Sequence, residues 1–361
     1  MEYKNFWQKL KRPFFCLAPM SDVTDNAFRA ILAKYSKRSE NKNSVVFWTE
    51  FVAADGLAHK FARKNLSYIL DYSEAERPIV AQVFGANPEK MKIACQYIAS
   101  LNFDGIDINM GCPDRSVIDQ GAGSALIKTP KLTREIIQAA REGIAATGQH
   151  IPISVKTRIG FNQEEIDTWL PELLKENLSA LTVHLRTKKE ESLVPAHWDL
   201  MERIIKLRDK ISPETLIIGN GDVKDLTEAK EKAEKYKCDG VMIGRGVFGK
   251  PDFFRTTPSA DCHPSLEKEG KVEGDREPRP GLGYSQSQAL VLKIDILKEH
   301  IKLFDKKLLQ PGHKSFAVMK KHFKAYLNDF DGAKELRNRL MDTERPSEAL
   351  SILSTFQRTL K

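Results

Sequence analysis

Residues 105–113 read Gly-Ile-Asp-Ile-Asn-Met-Gly-Cys-Pro, an apolar segment that ends in a rigid turn. The two isoleucines are β-branched and favour a strand, whereas Gly111 permits unusual backbone angles and Pro113 cannot donate a hydrogen bond to a neighbouring strand. The turn presents Cys112, three residues after Asn109. A thiol at the carboxyl end of a strand lies where parallel α/β proteins carry out their chemistry. Because free cysteine is also often simply buried, a structural role for Cys112 stays open on this stretch alone.

The same pattern, an apolar run followed by a stretch with helical periodicity, recurs before and after this segment. The eight runs predicted as strands are 14–19, 45–51, 79–84, 105–110, 153–157, 180–184, 216–219 and 240–244. The helices predicted between them are 25–35, 88–100, 133–147, 162–176, 196–208 and 225–236. Apolar strands that alternate with helices form parallel sheets, and eight such units favour a closed (β/α)8 TIM barrel of the α/β class. An open doubly wound sheet is the alternative, but it would not need eight units.

The pattern changes after residue 257. Residues 258–288 are rich in Pro, Gly, Ser and charge, which predicts a linker or surface excursion. Helical periodicity returns at 289–304, 313–328, 333–341 and 347–360. We therefore predict three parts: a barrel domain at 1–257, the linker at 258–288 and a small all-α bundle at 289–361.

The positive charge of the chain is concentrated near its end. The formal net charge is +8, and residues 286–361 contain fifteen Lys and Arg against nine Asp and Glu. In the second predicted helix of the bundle, Lys314, Lys320, Lys321, His322 and Lys324 occupy the face opposite the apolar one. A solvated helix face is one interpretation, and a patch that contacts phosphates is the favoured one.

Several classes of protein are disfavoured by the composition. Five cysteines without a CxxC pair argue against a disulfide framework and against a zinc site. We therefore expect no metal, and we expect a reducing, cytoplasmic location. We also expect no association with a membrane, because no apolar run approaches spanning length and the amino terminus lacks the apolar region of a signal peptide. The oligomeric state is left open.

Polar groups follow almost every predicted strand. In a barrel these positions face one mouth; they include Pro19-Met20-Ser21, Glu50, Gln82, Asn109, Cys112, Lys156, Arg158, His184, Arg186, Asn220-Gly221-Asp222 and Gly244-Arg245-Gly246. The last two groups are rich in glycine, as in the phosphate site that such barrels form after strands seven and eight, although two ordinary tight turns are the alternative. A cation at Lys156 or Arg158 could stabilise negative charge on a cofactor ring.

Taken together, these segments resemble the tRNA-dihydrouridine synthases. The motifs are Ala18-Pro19-Met20-Ser21-Asp22-Val23-Thr24-Asp25 through Arg29, Gln82-Val83-Phe84-Gly85, Asn109-Met110-Gly111-Cys112-Pro113, Val155-Lys156-Thr157-Arg158, Thr182-Val183-His184, Asn220-Gly221-Asp222 and Gly244-Arg245-Gly246. They occur in the order of that family and cover roughly residues 13–255. A weaker similarity to its tRNA-binding helical domain extends over the tail.

The resemblance implies an FMN enzyme that takes electrons from NADPH or NADH and reduces the C5=C6 bond of uridines in tRNA. It implies that Cys112 donates a proton to C5 as general acid, and that Asn109, Arg158 and Arg186 contact the substrate. It also implies that Lys156 lies near N1 and O2 of the flavin. The remaining cofactor contacts that it implies are Pro19, Met20, Ser21, Gln82, His184, Asn220, Gly221, Asp222, Gly244 and Arg245.

One position departs from the pattern of the family. Leu185 follows His184 where a glycine is usual, which adds bulk beside the predicted site. Two other functions remain as alternatives: an FMN barrel that reduces a small molecule, and a non-catalytic barrel that binds tRNA. The basic tail argues against the first, and intact Cys112 and Lys156 argue against the second.

Overall fold

Eight parallel strands close into a barrel in the computed structural model, which describes residues 5–36, 44–255 and 286–360. Each strand pairs with the next along the chain, and the first pairs with the last through Cys16 and Met242. The strands are β1 (Phe14–Leu17), β2 (Val45–Ala53), β3 (Ile79–Phe84), β4 (Gly105–Met110), β5 (Ile153–Arg158), β6 (Ala180–His184), β7 (Leu216–Asn220) and β8 (Gly240–Ile243). The predicted TIM barrel is confirmed.

The helices fall into two groups along the chain. Those of the barrel are α1 (Asn26–Ser36), α2 (Ala54–Ala58), α3 (Lys60–Leu66), α4 (Pro88–Ala99), α5 (Arg115–Ile118), α6 (Pro130–Ala145), α7 (Ile166–Leu174), α8 (Met201–Ile211) and α9 (Leu226–Tyr236). Those of the C-terminal region are α10 (Gln286–Phe304), α11 (Lys320–Tyr326), α12 (Ala333–Met341) and α13 (Pro346–Thr359). Short helices α2, α3 and α5 are not in the sequence prediction.

The interior of the barrel is filled by side chains that alternate along the strands. Phe14 and Cys16 of β1, with Trp48 of β2, belong to one buried apolar cluster. Trp7 closes this cluster at the amino-terminal end of the strands, with its ring centroid 5.7 Å from Phe14 and 5.9 Å from Trp48. The opposite end, where the strands finish, is therefore the end that can admit a ligand.

The C-terminal helices pack directly onto α1. Ala27, Ile31 and Tyr35 of α1 share a buried apolar cluster with residues such as Leu297 and Ile301 of α10. At the edge of this contact, Tyr35 donates a hydrogen bond to Glu299 at 2.7 Å. The outer face of a barrel helix is thus part of the core of the helical region.

The second helix predicted for the C-terminal region is not continuous in the structure. Residues 313–328 form a 3-10 turn at Phe316–Met319 followed by α11, and Ser315 caps the turn through Ala317 N–H. The basic face expected there also differs, because His322 is buried and the Lys314 side chain is only 6% exposed. Most of the predicted linker at 258–288 lies outside the described residues.

Among the residues that the structure describes, no helix has the length and apolar character needed to cross a membrane. The same parts of the chain contain no group of three or more His, Cys, Asp or Glu arranged to hold a metal ion. The four cysteines in them, Cys16, Cys95, Cys112 and Cys238, are free thiols.

Candidate active site

A cavity of about 590 Å³ opens at the carboxyl end of the strands. It brings together most of the residues that the sequence analysis assigned to a cofactor. Its lining includes Pro19, Met20, Lys156, His184, Arg186, Asn220, Gly221, Asp222, Gly244 and Arg245. The predicted residues Ser21, Gln82, Asn109, Cys112 and Arg158 do not line this cavity, and the last four lie on or beside the adjoining strands β3 to β5.

Lys156 is a partly buried cation in the wall of the cavity. Its Nζ donates to Asn220 Oδ1 at 3.2 Å, and Asn220 Nδ2 in turn donates to Met242 O at 2.8 Å, which fixes the orientation of the amide. Burial, with a contribution from nearby Arg158, lowers the pKa of Lys156 to about 8. The lysine is therefore still charged at neutral pH, and it can attract an electron-rich group that enters the cavity.

The loops after β7 and β8 form a glycine-rich wall. Gly221 has a φ of +134°, and a Cβ there would lie 2.6 Å from Ala196 Cβ, so only glycine fits. Gly246 packs against the carbonyl oxygen of Val223 with no space for a side chain. Arg245 points to solvent beside this wall, with 67% of its side chain exposed. The partly exposed backbone at Gly244 and Gly246 and the exposed side chain of Arg245 suit an oxyanion such as a phosphate.

The side chain of Arg186 is fixed by hydrogen bonds within the protein. Its Nε donates to Val194 O at 2.6 Å, and its guanidinium pairs with Asp222 Oδ2. Burial raises the pKa of Asp222, but hydrogen bonds from Arg186 and from Ala196 N–H outweigh this and lower it. Asp222 also lies 3.7 Å from Arg245, so this carboxylate links the two arginines of the cavity wall.

His184 is a neutral group in this cavity. Burial lowers its pKa well below the ordinary value, and the positive charges of Lys156 and the neighbouring arginines act in the same direction. Arg186 Nη1 lies 3.2 Å from His184 Nε2. Because a guanidinium can only donate, Nε2 is the acceptor and the proton of the neutral ring is on Nδ1.

The turn that carries Cys112 is fixed by Asn109. Asn109 Oδ1 accepts the N–H of Gly111 at 3.1 Å and that of Cys112 at 2.9 Å, while its Nδ2 donates to Gln82 Oε1 at 3.0 Å. Gln82 Nε2 continues the chain to Asp107 Oδ2 at 2.7 Å. Gln82 and Asn109 are therefore held within a buried network that orients the cysteine turn.

Arg158 holds the same turn from the next strand. Its Nε donates to Gly111 O at 2.7 Å, and its Nη1 donates to Thr187 O at 3.0 Å and to Glu191 O at 3.1 Å. Lys156, two residues earlier, pairs in register with Asn109 of β4. Strand β5 thus connects the cavity with the cysteine turn.

The Cys112 thiol is partly buried beside the mouth. Burial is the largest influence on it and raises its pKa above the ordinary value. The thiol therefore keeps its proton at neutral pH, which suits a proton donor and not a nucleophile.

Comparison with known proteins matches residues 16–361 to the family described as dihydrouridine synthase. A probable tRNA-dihydrouridine synthase from Staphylococcus aureus (strain COL) is 39% identical over 355 residues, which are 98% of this chain and 96% of that protein. The chain belongs to the dihydrouridine synthase family. Probable tRNA-dihydrouridine synthase 2 of Bacillus subtilis (strain 168) is 38% identical over 356 residues, 98% of this chain and 97% of that protein. The predicted family is confirmed, and since making dihydrouridine is a reduction, the protein is an oxidoreductase.

A likeness among solved structures concerns the fold alone. A 2-naphthoyl-CoA reductase complex superposes with a TM-score of 0.50 at 9% identity, over 70% of this chain and 52% of that chain. Membership of the dihydrouridine synthase family supports a flavin cofactor and an NAD(P)H-type reductant in general terms.

Two features of this dihydrouridine synthase were missed by sequence reasoning. Asp107 is fully buried between Gln82 and Ser154, and burial raises its pKa to about 6. A carboxylate between two isoleucines of a buried strand is the signal that could have revealed it. Ser192 also lines the cavity, from an irregular loop whose path no local pattern announces.

Proposed function

We propose that this dihydrouridine synthase reduces the C5=C6 bond of uridines in tRNA, with FMN as the bound cofactor and NADPH or NADH as reductant. The observation that carries the proposal is one cavity that joins a partly buried lysine to a glycine-rich wall, beside a turn that holds a protonated thiol. The two relatives described above carry tRNA in their names, which supports tRNA as the substrate here.

The cavity fits FMN chemically. The glycine-rich wall and Arg245 would hold the phosphate, and Asn220 and Asp222 would shape its surroundings. Lys156 would lie against the electron-rich edge of the ring, since it is a partly buried cation that donates to Asn220 at 3.2 Å. Pro19 and Met20, which line the cavity, would contact the ring, and His184 would lie near its polar edge. The cofactor contacts expected of Ser21 and Gln82 stay predictions. When bound, FMN supplies the hydride that is delivered to C6 of the uracil.

Cys112 completes the reduction by supplying a proton. Addition of hydride at C6 leaves negative charge at C5 and O4, and a proton from Sγ to C5 neutralises it. The raised pKa keeps this proton on sulfur until it is needed. The fixed turn places Sγ reproducibly, because Asn109 and Arg158 hold the backbone on either side of it.

The substrate contacts predicted for Asn109, Arg158 and Arg186 stay predictions. The hydrogen bonds that these three side chains make within the protein support a positioning role: Asn109 and Arg158 for Cys112, and Arg186 for Asp222. A uracil that is swung out of the tRNA would meet the thiol and the cofactor ring at the mouth of the barrel.

The helical region is proposed as the tRNA-binding part, within a domain that spans 289–361, beside a barrel domain at 1–257. Lys321 and Lys324 of α11 are exposed and can contact phosphates, unlike Lys314. Recognition of tRNA by shape and phosphates suits such a surface. A cytoplasmic location follows from this substrate.

The proposal is tested on the purified protein in two steps. First, the cofactor is released by heat and identified by mass; FMN is expected, and the absence of any flavin would contradict the proposal. Second, the oxidation of NADPH is followed under anaerobic conditions with each of three candidate substrates: unmodified tRNA, free uridine and a small enone. Oxidation that depends on tRNA is expected, whereas turnover of the enone alone would indicate a small-molecule reductase.

A further inference from the structure

Lys314, in the C-terminal region, inserts its side chain into a group of carboxylates on the barrel. Its Nζ lies 2.7 Å and 2.9 Å from the two oxygens of Glu50, 3.1 Å from Asp22 Oδ1 and 3.9 Å from Asp25 Oδ2. The lysine side chain is 6% exposed, and those of Glu50 and Asp25 are 7% and 1% exposed. A cation so deeply buried is stable only with compensating charge, which these carboxylates provide.

The carboxylates in turn hold the backbone that follows β1. Glu50 Oε1 accepts the N–H of Asp22 at 2.5 Å, and Asp25 Oδ1 accepts the N–H of Ala27 and of Phe28 at 3.0 Å each. Asp22 has a φ of +56°, a left-handed conformation that a residue other than glycine adopts only when its surroundings hold it there.

This backbone is the loop at 18–24, which forms one side of the cavity. Ala18, Pro19 and Met20 line the cavity, and the loop is closed by a hydrogen bond from Met20 N to Thr24 Oγ1 at 2.8 Å. A series of contacts therefore connects Lys314, through Glu50 and Asp22, with the residues that face the proposed cofactor position.

A second contact anchors the segment that carries the lysine. His313 stacks on Tyr68, with centroids 4.3 Å apart and an angle of 7° between the rings. Tyr68 belongs to the connection between β2 and β3. Residues 313 and 314 of the helical region thus both contact the barrel through their side chains.

We propose that Lys314 is a positioning residue through which the helical region holds the loop at 18–24 in the conformation that binds the flavin. This inference rests on the flavin site proposed above. Without the cation, the buried carboxylates of Glu50 and Asp25 would repel each other and the half-exposed Asp22, and the loop would leave the cavity wall.

The charges around Asp25 give the inference a pH signature. Burial raises the pKa of Asp25 to about 6, Lys314 opposes this shift, and Glu50 adds to it. The other charged or titratable groups beside this cluster include Asp22, Arg29, Tyr68, His313 and, from α11, His322. Arg29 is itself paired with buried Glu76 at 2.7 Å. Removing Lys314 therefore raises the pKa of Asp25 further, so that a lower pH neutralises this one carboxylate and relieves its repulsion with Glu50.

The test compares flavin dissociation constants of wild type, Lys314→Met, Lys314→Arg and the control Lys302→Met, which removes an exposed lysine of α10. FMN is added to each protein after removal of its own flavin, and binding is followed by fluorescence near pH 6 and near pH 7.5. For Lys314→Met we expect a loss of about ten-fold or more near pH 7.5 and a clearly smaller loss near pH 6. Lys314→Arg should recover most of the affinity, and Lys302→Met should match wild type.

Flavin affinity of Lys314→Met equal to wild type at both pH values would overturn the inference, even with a lower melting temperature, because it would leave the lysine a purely structural role. If Lys314→Met does not fold, Lys314→Met/Glu50→Gln removes the closest charge pair and keeps an acceptor for Asp22 N–H. This double variant should fold, but Asp22 and Asp25 still lack the cation that holds them, so it should bind FMN more weakly than wild type; unchanged binding would again overturn the inference. A wild type that binds no FMN would instead refute the proposed flavin site.

Discussion

The side-chain oxygen of Asn109 accepts the backbone N–H of Cys112 at 2.9 Å, so the residue that carries the thiol is oriented from inside the barrel. The same amide donates to Gln82, which donates to buried Asp107. The cysteine turn is therefore one end of a polar network that crosses β4 and β3. Networks of this kind are rigid when every member is satisfied.

Asn109→Ala removes the acceptor for two N–H groups and leaves Gln82 Oε1 without its donor. We expect a loss of about 1–3 kcal/mol in the free energy of unfolding, the usual cost of unsatisfied buried groups. Turnover with tRNA should fall by at least about ten-fold, because a misplacement of the proton donor is costly. Asn338→Ala, at an exposed position of α12, is the control and should change neither. Full turnover in Asn109→Ala would remove the positioning role.

Lys156 gives flavin binding an upper pH limit. Its pKa is lowered to about 8, so the cation is present below that pH and is lost as pH rises through it. Affinity for FMN should therefore fall by up to about ten-fold per pH unit above pH 8. Lys156→Arg stays charged and should be flat over this range, and Lys156→Met should be weak and flat. Binding is measured by fluorescence from pH 6.5 to 9.5; a wild-type curve without this decline would contradict the role of the cation.

The eight strands were predictable because each is a buried apolar run, and that signal is local. The order of the strand-end residues then placed most of the cavity lining correctly. Lys314 could not be predicted in the same way: a lysine next to a helix normally faces water, and its burial depends on Glu50, which is distant in sequence. Arg158 and Arg186 were correctly expected near the mouth, but their inward hydrogen bonds depend on carbonyl groups of an irregular loop.

Two buried histidines should make stability depend on pH. Burial lowers the pKa of His300 to about 3 and that of His322 well below its ordinary value, and their rings are 4.7 Å apart. The unfolded chain takes up protons on them below about pH 6.5 and the native protein does not, so their contribution to stability is lost as pH falls below that value. Asp25 and Asp107 act in the opposite direction, because their raised pKa values near 6 favour the native state as pH falls toward 4.

The contribution of His300 is therefore isolated by comparing variants. In His300→Leu, stability should fall less steeply between pH 6.5 and 5 than in wild type, by up to about 1.4 kcal/mol per pH unit. Unfolding by urea at several pH values measures this difference, with the exposed His59→Gln as the control. Parallel curves for wild type and His300→Leu would contradict this, because they would show that His300 takes up its proton at the same pH in the native protein as in the unfolded chain.

Removal of residues 286–361 should destabilise the barrel. The deletion uncovers Ala27, Ile31 and Tyr35 of α1, which are buried against α10, and it takes away the partner of Glu50. Exposing one large apolar side chain costs about 1.5–3 kcal/mol, so we expect aggregation or a clearly lower melting temperature. Circular dichroism and binding of a hydrophobic dye to the shortened protein test this. A shortened barrel that melts like the whole protein would contradict the shared core.

Nucleoside mass spectrometry shows whether the protein reduces uridine in tRNA and whether Cys112 is needed for it. Unmodified tRNA is incubated with the flavin-loaded protein and NADPH, digested and compared with the product of Cys112→Ala. We expect that the wild-type protein adds two hydrogens to uridine. Cys112→Ala should bind flavin and tRNA normally but lose about 10²–10⁴-fold in rate, as expected for a missing general acid. Equal product from both proteins would contradict the proton-donor role of Cys112, and no gain in mass with wild type would contradict reduction of tRNA itself.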